Sequence, residues 1–357
     1  MNKTKFLMTM LLLVATVGCI IPAASTPSPD LFATLQASTP SNISAPPATQ
    51  SIATPVFNLS TLTPTSISAS GSTSVPSPST SDQPGGHIVF TCQIFKTQAA
   101  EQICIMNADG SGFRRLTTED YVRHFYPSLS PNGQRVLYSV YVVDNNYEIY
   151  QMDIESGNVA QLTNSYGVDN APEISPNGQS LIFMHNAPTR NINQIVVADQ
   201  DGANAGNIPR ITGWDPTWSP DGKLILFASD RDGAVQLFTI RLDGSQIHRI
   251  TNLPAIRGRS DWSADGQYIV TYSGEAWHRE LYIMNADGSN VHQLTPTGGN
   301  SQGPSFSPDG RWVAFTAYFD KYNDEHGCEI YIIRIDGTDL RRLTKNDYCD
   351  YQPRWGP

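Results

Sequence analysis

The sequence predicts an all-β fold: a six-bladed β-propeller of four-stranded antiparallel blades, with the ring closed by the C-terminal strand completing blade 1. A Ser-Pro-Asn/Asp-Gly tetrapeptide occurs five times, with alanine in place of proline in the fourth copy. Its glycines are Gly133, Gly178, Gly222, Gly266 and Gly310, which lie 45, 44, 44 and 44 residues apart. A fixed period in the forties is typical of propeller blades. One blade cannot bury both faces of its sheet alone, so such repeats pack around a ring.

Residues 216–251 give the clearest copy of the repeat. The apolar run Leu224–Ala228 indicates a strand buried on both faces between neighbouring blades. The tripeptide before it, Pro220–Gly222, predicts a tight turn, because proline presets φ and glycine accepts positive φ. The remaining segments predict three more strands and a second hairpin turn: Pro216–Ser219, Gln236–Ile240, Leu242–Gly244 and Ile247–Thr251.

The prediction of six blades depends on the dipeptide that ends each copy of the repeat. A closing Leu-Thr or Ile-Thr occurs six times, at Thr117, Thr163, Thr212, Thr251, Thr295 and Thr344. The first copy lacks its Pro-x-Trp strand, and the chain ends with a spare one, Pro353–Trp355. We therefore expect residues 87–117 to supply three strands of the first blade and the C-terminus the fourth, which leaves no free sheet edge.

Composition divides the chain of 357 residues into three parts. Residues 1–19 have two lysines, an apolar run and a lipobox-like ending at Cys19, which indicates a signal peptide and a lipid-modified N-terminus; an ordinary signal peptide cut elsewhere is the alternative. Residues 20–84 are rich in Ser, Thr, Pro and Ala and predict a disordered tether. Residues 85–357 form the propeller. We expect an exported, lipid-anchored protein on the periplasmic or cell-surface side.

Net charge limits the classes of partner that the protein can bind, and cysteine content predicts its disulfides. The net charge is −10, with no basic stripe, which argues against nucleic acid and leaves the lipid anchor as the only membrane contact. Besides Cys19 there are four cysteines, and two disulfides among them have three possible connectivities. Their positions in the repeat favour the pairs Cys92–Cys104 and Cys328–Cys349. We expect no metal and no cofactor, and a monomer.

Function is expected at one end of the propeller. The first and third connections of each blade lie on one face, which we call the regular face, and they are short and alike except at Ala203–Asn207. The second connections and the crossings between blades lie on the opposite face, which we call the variable face, and they differ in length. Variation gathered on one face usually marks the binding face. The candidate ligand-binding residues precede each Pro-x-Trp strand, at the mouth of the central channel: His124, Tyr126, Asp169, Asn170, Trp214, Asp215, Arg257, Arg259, Gln302, Asp350 and Tyr351.

Aromatic residues mixed with both signs of charge suit a protein, peptide or glycan ligand. The sequence contains no G-x-S-x-G, H-E-x-x-H or glycine-rich phosphate loop, so no catalytic residue is predicted and a non-catalytic binding module is favoured. The alternative is a propeller hydrolase or lyase that uses acids and histidines at the channel mouth.

Three motifs carry a family resemblance: Trp218-Ser-Pro-Asp-Gly222, Ile283-Met-Asn-Ala-Asp-Gly-Ser289 and Arg342-Leu-Thr344. They resemble the PD40, or WD40-like, repeats of the TolB β-propeller family, and the resemblance covers residues 85–357. It implies a six-bladed propeller outside the cytoplasm. TolB carries a folded domain before its propeller where this chain has a low-complexity segment, so we expect a family member other than TolB itself.

Overall fold

The computed structural model describes residues 83–94, 101–119, 121–143, 146–188, 192–256, 258–318 and 328–357, apart from the side chain of Arg210. These residues belong to one unit, Pro78–Pro357. The predicted signal peptide, Cys19 and almost all of the predicted tether lie outside the described residues. In the part of the chain that is described, no helix is long and apolar enough to cross a membrane.

The described residues form 24 strands, which are arranged in five sheets. Sheet I has the order β24–β1–β2–β3: Asp350–Gly356, His87–Gln93, Glu101–Asn107 and Arg114–Arg115. Sheet II contains β4 to β11: His124–Leu129, Arg135–Val143, Asn146–Asp153, Val159–Gln161, Val168–Ile174, Ser180–Ala187, Ile192–Asp199 and Gly206–Thr212.

The last three sheets each have four consecutive strands. Sheet III contains β12 to β15: Trp214–Trp218, Leu224–Ser229, Gln236–Arg241 and His248–Arg249. Sheet IV contains β16 to β19: Asp261–Trp262, Tyr268–Ser273, Glu280–Asn285 and His292–Gln293. Sheet V contains β20 to β23: Gln302–Phe306, Trp312–Ala317, Glu329–Arg334 and Arg341–Arg342.

The fold is an all-β propeller, but the prediction of six four-stranded antiparallel blades is wrong. Four sheets have four antiparallel strands, and the fifth, sheet II, has eight. Sheet II is continuous because Tyr147 of β6 pairs in parallel with Val168 of β8, and the Tyr147 amide donates to the Gly167 carbonyl at 2.9 Å. Strands β5 and β6 have nine and eight residues, against six in the middle strands of sheets III to V, so their hairpin reaches the segment that crosses to β8.

The C-terminal strand pairs with the first strand, as the spare Pro-x-Trp segment predicts. Strand β24 is antiparallel to β1, with Trp355 opposite Ile88 and Arg354 opposite Val89. The Trp355 indole donates to the Gly85 carbonyl at 2.8 Å, and its backbone amide donates to Ser305 Oγ of sheet V at 3.1 Å. The first and last strands of the described unit are therefore joined in one sheet.

The repeated tetrapeptide is a self-contained turn. In sheet III, Ser219 Oγ donates to Asp221 Oδ1 at 2.7 Å and accepts from the Leu224 amide at 2.9 Å, while Gly222 has φ +69°. The Ser219 hydroxyl, followed by Lys223, lowers the pKa of Asp221 to about 2. The motif recurs because each member makes a local hydrogen bond or supplies a left-handed backbone.

The hydrophobic core lies between neighbouring sheets. Ile88, Phe90 and Trp355 of sheet I pack with Trp312 and Ile332 of sheet V, and equivalent clusters join the remaining sheets around the unit. Two disulfides add covalent links, with the predicted pairing: Cys92–Cys104 within sheet I and Cys328–Cys349 beside β24.

Candidate functional site

The innermost strands surround a common axis. Strands β4, β8, β12, β16, β20 and β24 contact one another in a closed cycle. Five of these strands have a register shift with a left-handed residue at the matching place: Tyr126 (φ 52°), Ala171 (φ 52°), Asp215 (φ 50°), Gly303 (φ 58°) and Gln352 (φ 56°). Bulges bend a strand and re-aim its side chains, and left-handed non-glycine residues cluster at functional sites.

Arg259 is the central side chain of this lining. It is buried, its backbone amide donates to Asp215 Oδ2 at 3.0 Å, and its Nη2 donates to the Pro127 carbonyl at 2.8 Å. Its guanidinium carbon lies 5.6 Å from the ring centre of Tyr126. Burial, together with repulsion from Arg354, lowers the pKa of Arg259 to about 9, so the guanidinium stays charged at neutral pH.

Arg354 is the second buried cation and bridges two carboxylates. Its Nη2 lies 3.4 Å from Glu173 Oε2, and its Nη1 lies 3.3 Å from Asp261 Oδ2. Glu173 also accepts from the Thr217 hydroxyl, and Asp261 accepts from the Ser305 hydroxyl, so both carboxylates are held in place. Burial raises the pKa of Glu173, and the Arg354 charge opposes that rise.

These groups form what we call the channel cluster: Tyr126, Glu173, Asp215, Arg259, Asp261 and Arg354. Its two guanidinium groups face three carboxylates, so its positive charges are compensated. Its hydrogen bonding is incomplete, because Nη1 of Arg259 and Nε of Arg354 are buried and have no hydrogen-bond partner among the described residues. Such groups are costly to leave unpaired, and each marks a place where an acceptor is missing.

Three predicted mouth residues, Tyr126, Asp215 and Arg259, lie together in the channel cluster. Tyr351 is close by: it is paired with Thr91 in sheet I, and desolvation raises the pKa of its hydroxyl. Gln302 accepts from Arg279 Nη1 at 2.9 Å. Arg257 lies outside the described residues.

Other predicted mouth residues lie elsewhere. Trp214 packs in the core between sheets III and IV. His124 packs edge-on against Tyr138, and burial lowers the pKa of its imidazole. Asp169 accepts from His185 and lines a separate cavity, next to Asn170, whose Oδ1 is buried without a partner in the described part of the chain.

Sequence reasoning missed Glu173, Asp261 and Arg354. All three occupy the middle position of the Pro-x-Trp strand or its counterpart, where the other copies have Ser128, Thr217 and Ser305. The sequence does contain a signal for these three residues. The residues on either side of the middle position are similar in nearly every copy, whereas the middle residue is neutral in some copies and charged in others.

Asp350 is a buried acid away from the channel cluster. Its Oδ2 accepts from Asn346 Nδ2 at 2.7 Å. Burial, with a smaller contribution from the Glu329 carboxylate, raises the pKa of Asp350 from 3.8 to about 7. The folded protein therefore holds a proton that the unfolded chain releases between about pH 4 and pH 7.

The Asp350→Asn variant is expected to be more stable than the parent chain at pH 8 and equal to it near pH 4. A raised folded-state pKa means that stability falls as pH rises through this window, and the amide removes that loss. At about 1.4 kcal/mol per pKa unit, the gain is on the order of 2–4 kcal/mol above pH 7. Urea unfolding at both pH values measures it. Glu155→Gln, at an exposed acid, serves as the control. A gain in the free energy of unfolding of Asp350→Asn that is equal at both pH values would contradict the raised pKa of Asp350.

In the described part of the chain, no group of three or more His, Cys, Asp or Glu side chains is arranged to hold a metal ion.

Comparison with known proteins identifies what the chain resembles. The family model of the TolB beta propeller domain matches residues 53–214 and 212–357. The Tol-Pal system protein TolB of Francisella tularensis subsp. mediasiatica is 30% identical over 156 residues, which are 43% of this chain and 25% of that protein. An uncharacterized protein of Agrobacterium fabrum is 29% identical over 155 residues, which are 40% of this chain and 50% of that protein.

The chain thus spans a half or less of the length of these curated relatives. Among solved structures, TolB from Acinetobacter baumannii superposes with a TM-score of 0.67 at 23% identity, over 76% of this chain and 67% of that one. At this identity the superposition shows a common fold and nothing more.

Proposed function

This chain belongs to the TolB β-propeller family, and we propose that it is a protein-binding module of the cell envelope whose partner docks over the channel cluster. The observation that carries the proposal is Nη1 of Arg259, a buried guanidinium nitrogen with no acceptor among the described residues. Because carboxylates already compensate the positive charges of the cluster, the missing element is a neutral hydrogen-bond acceptor rather than an anion. The acceptor that we propose is a carbonyl oxygen of a polypeptide segment inserted into the channel.

The surroundings of the cluster suit a protein partner. Phe125 lies 6.0 Å from Tyr147 between ring centres, and the guanidinium carbon of Arg123 lies 4.9 Å from the ring centre of Phe125. Tyr121, in the crossing before β4, is 93% exposed. Aromatic residues and arginine are the side chains that protein interfaces favour.

The same proposal places the protein outside the cytoplasm on a lipid anchor at Cys19. Two disulfides are typical of proteins that fold in an oxidising compartment. The lipobox-like sequence that ends at Cys19 and the Ser/Thr/Pro-rich stretch after it support a tethered display. Incorporation of a labelled fatty acid that is lost in Cys19→Ser tests the anchor, and equal labelling of both proteins would contradict it.

Site-specific photo-crosslinking tests the docking face. A photoreactive aromatic residue replaces Tyr121 on the variable face or, as a matched control, Phe113, which is 56% exposed in the turn between β2 and β3 on the regular face. We expect one envelope protein to be captured from position 121 and not from position 113. Equal capture from both positions would contradict the proposed face.

Arg259→Met in the Tyr121 crosslinking background tests the cluster itself. We expect capture of the same partner to fall roughly tenfold, as one lost hydrogen bond to a charged donor predicts. Thermal melting checks that the variant folds. Unchanged capture by a folded Arg259→Met protein would exclude this residue from the site.

A further inference from the structure

A cavity of about 420 Å³ lies between the two halves of sheet II, away from the channel cluster. Its walls are the segment that leads from β7 to β8, one face of β9 and β10, and the turn between β10 and β11. The apolar part of the lining is Leu162, Phe183 and Val196, and the polar part includes Asn164, His185, Gln194 and Asn207. Its volume is within the range of small-molecule sites.

The cavity exists because one copy of the repeat departs from the others. Strand β11 has seven residues, whereas the outermost strands β3, β15, β19 and β23 have two. Gln194 pairs with Thr212, but Val196 pairs with Asn207, so four residues of β11 are looped out of the ladder. Ile208 and Ile211 of this loop are buried against sheet III. The departure coincides with the single irregular turn of the regular face, Ala203–Asn207.

One polar wall of the cavity is rigidly held. Asp169 is buried and accepts from His185 Nδ1 at 2.6 Å and from the Ser165 hydroxyl at 2.8 Å. The Ser165 amide donates to Glu148, which also accepts from Thr163. Since a carboxylate only accepts, His185 carries its proton on Nδ1 and keeps Nε2 for another partner. The hydrogen bond to Asp169 raises the pKa of His185.

The rest of the polar rim is unused within the protein. In the described part of the chain, the side-chain amides of Asn164, Gln194 and Asn207 and the Nε2 atom of His185 make no hydrogen bond. Each amide offers a donor and an acceptor. No lysine or arginine is among the described residues that line the cavity, and the charge of Asp169 faces His185. The lining therefore offers paired donors and acceptors without a strong positive field.

We propose that this cavity binds a neutral sugar of one or two rings. Hydroxyl groups both donate and accept, so they match the amides and pair with His185 Nε2 whether it is protonated or not. The C–H face of a sugar ring matches Leu162, Phe183 and Val196. Among the described residues of the lining, His185 is the only group that can carry a positive charge toward a phosphate or carboxylate ligand. The proposal is independent of protein docking at the channel cluster.

Saturation-transfer NMR and calorimetry with N-acetylglucosamine, its β-1,4-linked disaccharide and maltose test the site on the full-length protein. We expect saturation transfer to at least one of these sugars and none to glucuronate or glucose 6-phosphate. Preference for the charged sugars, or transfer to none of the five, would overturn the proposal.

Variants locate the binding. Gln194→Ala and Asn207→Ala remove amides that have no partner within the described residues, so the fold should persist, and each is expected to weaken the sugar at least about tenfold. Gln179→Ala, an exposed amide in the β8–β9 turn, is the matched control and should bind as the parent does. If both cavity variants melt like the parent and bind the sugar with unchanged affinity, the sugar sits elsewhere and this cavity is not its site.

Discussion

Deletion of residues 352–357 is expected to leave a chain without a cooperative thermal transition. The deletion removes most of β24, including Trp355, which packs against Ile88 and Phe90 and donates to the Gly85 carbonyl. Loss of a buried tryptophan alone costs about 3–5 kcal/mol, and each backbone hydrogen bond between β24 and β1 that is exchanged for one to water costs about 0.5–1.5 kcal/mol more. The sum is comparable to the whole stability of a typical domain, about 5–15 kcal/mol.

Calorimetry and near-ultraviolet circular dichroism measure the effect. Deletion of Pro357 alone is the matched control, because Pro357 lies just after β24 and its backbone carbonyl lies 3.0 Å from Nδ1 of the exposed His87 ring. A synthetic peptide of residues 350–357 should restore a transition to the truncated chain if strand pairing is what was lost. A truncated protein that melts at the parent temperature would show that β24 does not hold the unit closed.

The parts of the fold that sequence predicts are those whose interactions are local or repeated. The Ser219–Gly222 turn makes its hydrogen bonds within six residues, so four letters suffice to predict it. The pairing of β24 with β1 follows from a spare copy of a repeated strand. The two disulfides follow from where the cysteines fall within that repeat.

The errors come from contacts that no local pattern encodes. Sheet II is continuous because the long β5–β6 hairpin brings Tyr147 beside Val168, and the length of a hairpin does not reveal what it will touch. A blade count taken from the closing Leu-Thr or Ile-Thr of each copy cannot detect such a pairing between neighbouring repeats.

The candidate site was predicted only in part for a related reason. The rule that residues before each Pro-x-Trp strand line the mouth selects Tyr126, Asp215 and Arg259, which do lie together. Register shifts in β4 and β12 accompany the positions of Tyr126 and Asp215. The same rule also selected Asp350, which lies beside Asn346 instead. The middle residue of each strand varies from copy to copy, so the repeat does not mark it as functional, yet Arg354 and its two carboxylates lie in the channel cluster.

Arg354→Met is expected to destabilise the folded protein by about 3–5 kcal/mol at neutral pH. Arg354 lies between Glu173 and Asp261, and removing it leaves two partly buried carboxylates without their cation. Relief of the repulsion that Arg354 exerts on Arg259 offsets part of this loss. The net effect remains unfavourable, because two attractions are lost for one repulsion removed.

The pH dependence of this loss separates charge from packing. Burial already raises the pKa of Glu173, and without Arg354 that pKa rises further, so the variant takes up a proton at a higher pH than the parent does. Protonation removes the uncompensated charge, and the deficit of Arg354→Met should therefore shrink as pH falls below neutrality. Adding Glu173→Gln to Arg354→Met should recover part of the deficit at neutral pH.

Urea unfolding between pH 5 and pH 8 measures both effects. Lys223→Met is the control: Lys223 makes an exposed ion pair with Asp221 at 2.9 Å, and such pairs contribute about 0–1 kcal/mol. A deficit for Arg354→Met that stays constant across this pH range would assign the loss to the packing of the Arg354 side chain. A deficit no larger than that of Lys223→Met would mean that the channel cluster does not stabilise the fold, and that its buried charges serve binding alone.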